Sequence, residues 1–199
     1  MDPSIRPVTL DDVVGLDRYE AVRDDVRRRT IELKRARRVG VGPEVTLVFE
    51  NHDTVYFQIH EMLRAERITD LDAVREELAV YNALLPRPGE LSATLLIEIT
   101  EQERIPERLL GFLGIDTATW LELGDAQRIA AEFEPGRSRA DKLSAVQYVR
   151  FALSPEARAA FLDTATPARL IVDLPHYRHA APLTGAVRAS LAADLQGAT

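Results

Sequence analysis

KRARRVGVGPEVTLVFENHDTVYFQIHEMLRAER, residues Lys34 to Arg67, is the stretch that decides the fold. It holds the basic end of one helix, a hairpin and a two-faced helix. Val39 to Val41 and Val45 to Glu50 read as strands turned around Gly42, Pro43 and Glu44, because glycine and proline punctuate turns. Alternation places Val45, Leu47 and Phe49 on one face and Thr46, Val48 and Glu50 on the other. Asn51, His52 and Asp53 then supply N-cap chemistry for a helix from Thr54 to about Arg67. On its wheel Val55, Ile59, Met62 and Leu63 form the core face. Glu66 falls in the same arc and Gln58 borders it, whereas Phe57 and Arg64 project the other way.

Upstream, Thr9 and Asp12 have capping-pair spacing, and a longer helix is predicted from about Asp17 to Arg35. Its apolar stripe is Leu16, Tyr19, Val22, Val26 and Leu33. Arg23, Arg27, Lys34 and Arg38 run beside that stripe, with Asp24, Asp25 and Glu32 as partners for a solvated face. Lys34, Arg37 and Arg38 differ from the other cations. They stand where the helix runs into an apolar strand, so a cation there meets helix carbonyls or a buried carboxylate.

Downstream, Thr69 and Asp72 cap a helix from Asp70 to about Leu85, whose stripe is Leu71, Val74, Leu78, Tyr81 and Leu85. Pro86-Arg87-Pro88-Gly89 ends it. Residues 1–86 are mainly helical with one hairpin, and residues 90–199 are rich in strands: Leu91 to Ile99, a hairpin of Trp120 to Leu123 with Arg128 to Glu134, Ala145 to Leu153, and Arg169 to Asp173. Short helices are expected from Ile105 to Leu113 and from Pro155, and a last one from Leu183 to Leu195. These elements predict an α+β fold, a largely antiparallel sheet with hairpins packed against several helices. The hairpin at Val39 to Glu50 is too small to bury its apolar face alone. One domain over residues 1–199 is therefore expected, with the two parts as lobes.

Composition narrows the chemistry. The chain has 199 residues, a net charge of -7 and no cysteine, so thiolate nucleophiles, disulfides and any iron-sulfur cluster held by its own cysteines are excluded. An acidic balance argues against a dedicated nucleic-acid binder, and the arginines have no interleaved aromatic residues for base stacking. No apolar run reaches the length of a membrane span and the start is unlike a signal peptide, so a cytoplasmic protein is expected. Lys34 and Lys142 are the only lysines among 25 basic residues.

Several polar residues are candidates for a site. Lys34, Arg37, Arg38, Arg64 and Lys142 could contact an anionic ligand, with Glu66 or His176 as acid or base. The polar run Pro135 to Lys142 could hold a phosphate but lacks P-loop spacing. Glu50, Gln58, Glu61, Glu98 and Arg150 form a charge cluster that is either structural or functional. His176 and Tyr177 follow Pro175 at a strand end, where a rigid frame presents polar groups. The histidines, His52, His60, His176 and His179, have no metal-ligand spacing, and neither a metal nor a cofactor is expected. One of Lys34, Arg37 and Arg38 should reach Glu50, Glu66 or Glu98.

The run of Lys34, Arg37 and Arg38, then Thr46 to Glu50, Gln58-Ile59, Glu61 to Arg64 and Glu66-Arg67 resembles a bacterial family of unknown function, family 3501. Glu76-Glu77-Leu78, Tyr81-Asn82, the strand with Glu98, Lys142 to Arg150, and Val172-Asp173 with His176-Tyr177 fit it too, so the resemblance covers nearly the whole chain. It implies a setting rather than a reaction. Members tend to be encoded beside a rubrerythrin and an iron-sulfur oxidoreductase, so an accessory or interaction protein of a redox or peroxide-stress system is expected, docking such a partner and contributing no cofactor. An enzyme or small-molecule binder for an anionic ligand is the alternative. No motif names a reaction, and substrate and oligomeric state are beyond the sequence.

Overall fold

The computed structural model describes residues 4–196 except 126, 137, 140 and 141, and describes no side chain at 102, 138, 139 and 142. The first lobe contains α1 (Leu16–Arg35), β1 (Arg38–Gly40), β2 (Val45–Phe49), α2 (His52–Ala65) and α3 (Leu71–Asn82). After the proline break come β3 (Glu90–Ile97), α4 (Ile105–Leu110), α5 (Ile115–Ala118), β4 (Thr119–Leu123), β5 (Gln127–Ala130) and β6 (Glu132–Phe133). Then follow β7 (Ser138–Arg139), β8 (Lys142–Leu143), β9 (Val146–Ala152), α6 (Pro155–Leu162), β10 (Ala168–Leu174), β11 (Tyr177–Pro182) and α7 (Gly185–Gln196). The fold is α+β, built on two antiparallel sheets. One runs β1-β2-β3-β9-β6 and the other β11-β10-β4-β5, while β7 and β8 pair separately.

The hairpin residues of the first lobe are completed by the second. β2 lies between β1 and β3, with Leu47 opposite Leu95 and Val48 opposite Thr94. All five of its residues are buried, which explains why the strand reads as an almost continuous apolar run. The inward row is the one alternation predicts: Val45, Leu47 and Phe49 with Leu91, Ala93, Leu95 and Ile97 enter the main core between the sheets. A smaller core joins Val8 to the inner faces of α2 and α3 through Val55, Ile59, Leu63, Val74 and Leu78.

Two strands depart from the expected pattern. Arg128 to Glu134, expected as one strand, is divided at Ala131, whose amide still donates to Thr119 O of the four-stranded sheet. Beyond it Glu132 and Phe133 pair with Arg150 and Val149 of the five-stranded sheet. The chain thus changes sheets within two residues, and this carries Glu132 and Phe133 along the edge of β9. β11 was not expected, because Arg178, His179 and Ala180 interrupt any apolar alternation; as an edge strand it buries only Tyr177 and Ala181.

Tyr177 fastens the two sheets together. Its hydroxyl donates to Val41 O at 2.7 Å and accepts from the Glu44 and Val45 amides at 3.0 Å each. The turn between β1 and β2 depends on Gly42, at φ +81°, where an added Cβ would lie 2.6 Å from that hydroxyl and 2.5 Å from the His179 ring.

Candidate functional site

The second face of the five-stranded sheet is polar. Register puts Glu50 beside Ser92, through Glu50 N donating to Ser92 O, Ser92 beside Arg150 and Arg150 beside Glu132. The next row is Val48, Thr94 and Tyr148. A cavity of about 240 Å³ opens over this face, lined among others by Glu50, Leu84, Ser92, Phe133, Tyr148 and Arg150.

Glu50 is the unusual member. It is 3 % exposed, and its carboxylate meets three neutral donors. Thr54 Oγ1 donates to Oε2 at 2.5 Å, Gln58 Nε2 to the same oxygen at 3.0 Å, and Thr94 Oγ1 to Oε1 at 2.7 Å. The local sequence builds this cradle. Asn51 caps α2 by accepting from Thr54 N, which fixes Thr54 in the first turn facing back toward Glu50, and Gln58 follows one turn later on the same face. Among the described residues no cation pairs with the Glu50 carboxylate. Removing a carboxylate from water without a counter-charge is unfavourable by several kcal/mol, on the order of the penalty for a buried ion.

Arg37 sits behind this site without joining it. At 1 % exposure it donates to the carbonyls of Phe49 and Glu50, to Ser190 Oγ, and to Asp194 Oδ2 at 2.5 Å. It fixes the main chain of residue 50 while its charge is met by Asp194.

The expected anion-contacting group does not assemble. Arg37 turns inward to α7. Arg38 leaves in the opposite direction to pair with Glu98 at 2.6 Å, both side chains about half exposed. Lys34 lies 6.0 Å from the Phe57 ring centre, and Arg64 pairs with Glu20 on α1. The side chain of Lys142 and the centre of the run 135–142 fall outside the described residues. Successive residues at a helix end diverge, so closeness in sequence did not become convergence in space.

The charge cluster divides into three. Glu50 and Gln58 meet, with Arg150 on the same face, where it pairs with Glu90 and donates to Leu85 O and Ala83 O. Glu98 accepts from Thr46 and Arg38, and these two hold its carboxyl below the usual carboxylate range against the opposing effect of burial. Glu61 takes a two-pronged contact from Arg23 and a third bond from Tyr19; Arg23 foremost depresses its pKa. Of the expected ion pairs only Arg38 with Glu98 forms.

The acid-base candidates are also relocated. Glu66 is exposed, because α2 ends at Ala65 and Glu66 serves as its C-cap, so the wheel cannot be extended to it. Tyr177 has every hydroxyl bonding position filled and is a structural fastener. His176 is exposed at the turn before β11. His60 is 1 % exposed, between Tyr19 and Tyr56. Its Nδ1–H donates to Tyr56 O and its Nε2 accepts from Val14 N. Among the described residues no three His, Asp or Glu side chains converge as metal ligands, and no helix is long and apolar enough to cross a membrane. Sequence reading missed Thr54, Thr94, Ser92 and Tyr148. Pairing the polar face of Val45 to Glu50 with that of Leu91 to Ile99 would have brought Thr94 and Ser92 to Glu50.

This is a two-sheet α+β protein with a buried carboxylate at a cleft that has no ion partner among the described residues. The chain belongs to the family described as "Protein of unknown function (DUF3501)", which matches residues 7–195. It is similar to the crystal structure of a novel protein of unknown function from Burkholderia pseudomallei K96243, with 35 % identity, a TM-score of 0.88, and coverage of 96 % of this chain and 100 % of that one. No curated protein matches it.

Proposed function

We propose that the chain is a cytoplasmic small-molecule-binding protein in which Glu50 accepts a polar hydrogen from the ligand. The observation that carries this is a carboxylate, 3 % exposed, held by Thr54, Gln58 and Thr94 with no ion partner among the described residues, at the wall of a cavity. A structural role is served better by a paired or neutral side chain. Energetically unfavourable polar groups in clefts are where function concentrates. A carboxylate oxygen accepts about two hydrogen bonds, so Oε1, with Thr94 alone, keeps a position for a ligand N–H or O–H. An anionic ligand is disfavoured, since the cations expected to hold one are dispersed. The test is a fragment library screened by saturation-transfer NMR against wild type and Glu50→Gln. Hits that vanish in the variant are expected. Hits indifferent to Glu50→Gln, or none at all, would overturn the reading.

The accessory role in a redox system is a second reading, and it has one supporting observation. The outer face of the four-stranded sheet is solvent-facing, with Arg128 stacked 4.6 Å from the Trp120 ring and Arg169 and Arg178 paired to Glu122 and Asp173. Such a face suits a protein partner of the rubrerythrin-like or iron-sulfur oxidoreductase class. Co-elution with that partner, lost on Arg128→Glu with Arg178→Glu, is its test; unchanged elution of the two proteins apart would reject it.

A further inference from the structure

Resting on the reading of Glu50 as a ligand-contacting group, we infer that the cleft takes a small organic cation, an ammonium or amidinium group carried on an apolar body. Several features converge on this class. Glu50 supplies a carboxylate with no counter-ion among the described residues and an open acceptor position on Oε1, so a charged donor would complete both its charge and its hydrogen bonds. The cation already in the cleft is not available to oppose it. Arg150 pairs with Glu90 at 3.1 Å, and its remaining bonds go to Leu85 O and Ala83 O at the end of α3. Its charge is therefore balanced by one carboxylate and by the carbonyl end of a helix.

Glu132 adds a second negative charge across the strand from Arg150, with no ion pair among the described residues. Tyr148, on the same face as Thr94 and Arg150, brings an aromatic ring to the lining, and ring faces attract ammonium groups. Leu84 provides apolar wall for the rest of the ligand. About 240 Å³ accommodates one small molecule rather than a polymer segment. An anion would instead face Glu50 and Glu132 with no free cation among the described residues to hold it.

The test uses three probes of nearly equal shape: benzylammonium, benzyl alcohol and benzoate. Each is titrated into the full chain at pH 7 with binding followed by NMR line positions. Benzylammonium is expected to bind at least about tenfold more tightly than benzyl alcohol, the difference between a charged and a neutral hydrogen bond. Glu50→Gln should remove that preference. Tyr148→Leu, which leaves the carboxylate in place, should weaken benzylammonium several-fold and serves if the first variant does not fold. Benzoate or benzyl alcohol binding as tightly as benzylammonium, in a manner still dependent on Glu50, would overturn the ligand class while leaving the site. If no probe binds in a Glu50-dependent manner, the site reading itself fails.

Discussion

Arg37 and Asp194, 157 residues apart, form an ion pair at 2.5 Å with side chains 1 % and 3 % exposed, locking the end of α1 to α7. The pair is what a structural charge cluster looks like in this chain: both partners enclosed, and each guanidinium nitrogen hydrogen-bonded. Replacing Arg37 by Met takes its counter-ion away from the buried Asp194 and should destabilise the protein by on the order of 3 to 5 kcal/mol, read by denaturant unfolding. Adding Asp194→Leu should recover much of that loss. A single variant as stable as wild type would show the pair to be unimportant.

Tyr177→Phe removes the hydroxyl shared by Val41 O and the Glu44 and Val45 amides. Leaving buried backbone groups without a partner is expected to lower stability by about 1 to 3 kcal/mol, with binding in the cleft unchanged. Loss of binding at undiminished stability would return Tyr177 to the list of site residues.

His60 sets a pH dependence whose sign follows from its surroundings. Burial lowers its pKa below the ordinary histidine value, opposed by the Tyr56 carbonyl and by Asp12. Protonation would also turn Nε2 into a donor facing the Val14 N–H donor. A group with a depressed folded pKa contributes stability that is fully present above the unfolded value, about 6.5, and is lost as pH falls through the folded one. Melting temperature should fall as the pH drops below about 6.5, and His60→Gln should flatten that limb. An unchanged limb in the variant would assign it to other groups.

Residues 1–87 should not fold alone. β2 is an interior strand buried along its whole length, and it needs β3 on one side and α7 behind Arg37. A fragment ending at Arg87 is expected to lack a cooperative transition by circular dichroism. A sharp melt would divide the chain into two domains.

Much of the fold was legible because its signals are local. The alternation around Leu47 and Leu95, the cap at Asn51 and the proline break after α3 each constrain the backbone where they stand. β11 and the division at Ala131 were not legible, since an edge strand needs only one buried side chain per turn of pattern and a change of sheet leaves no mark in composition. The site shows the same limit. Glu50 and Gln58 are joined by helix geometry eight residues apart and could be read. Arg37 with Asp194, Glu50 with Thr94 and Arg38 with Glu98 depend on which strands and helices meet, and nothing local selects among equally spaced carboxylates.

Glu50→Gln decides most directly whether the buried carboxylate belongs to a site. An amide of the same shape keeps an acceptor for Thr54 or Gln58 and can donate to the Thr94 hydroxyl, while the unpaired buried charge is gone. Thermal melting of the free protein at pH 7 should therefore give a midpoint equal to or above that of wild type, in contrast to the deep loss expected for Arg37→Met. A midpoint lowered by more than about 5 °C, corresponding to more than roughly 1 to 2 kcal/mol in a chain of this size, would mean that Glu50 holds the fold together and would contradict the account.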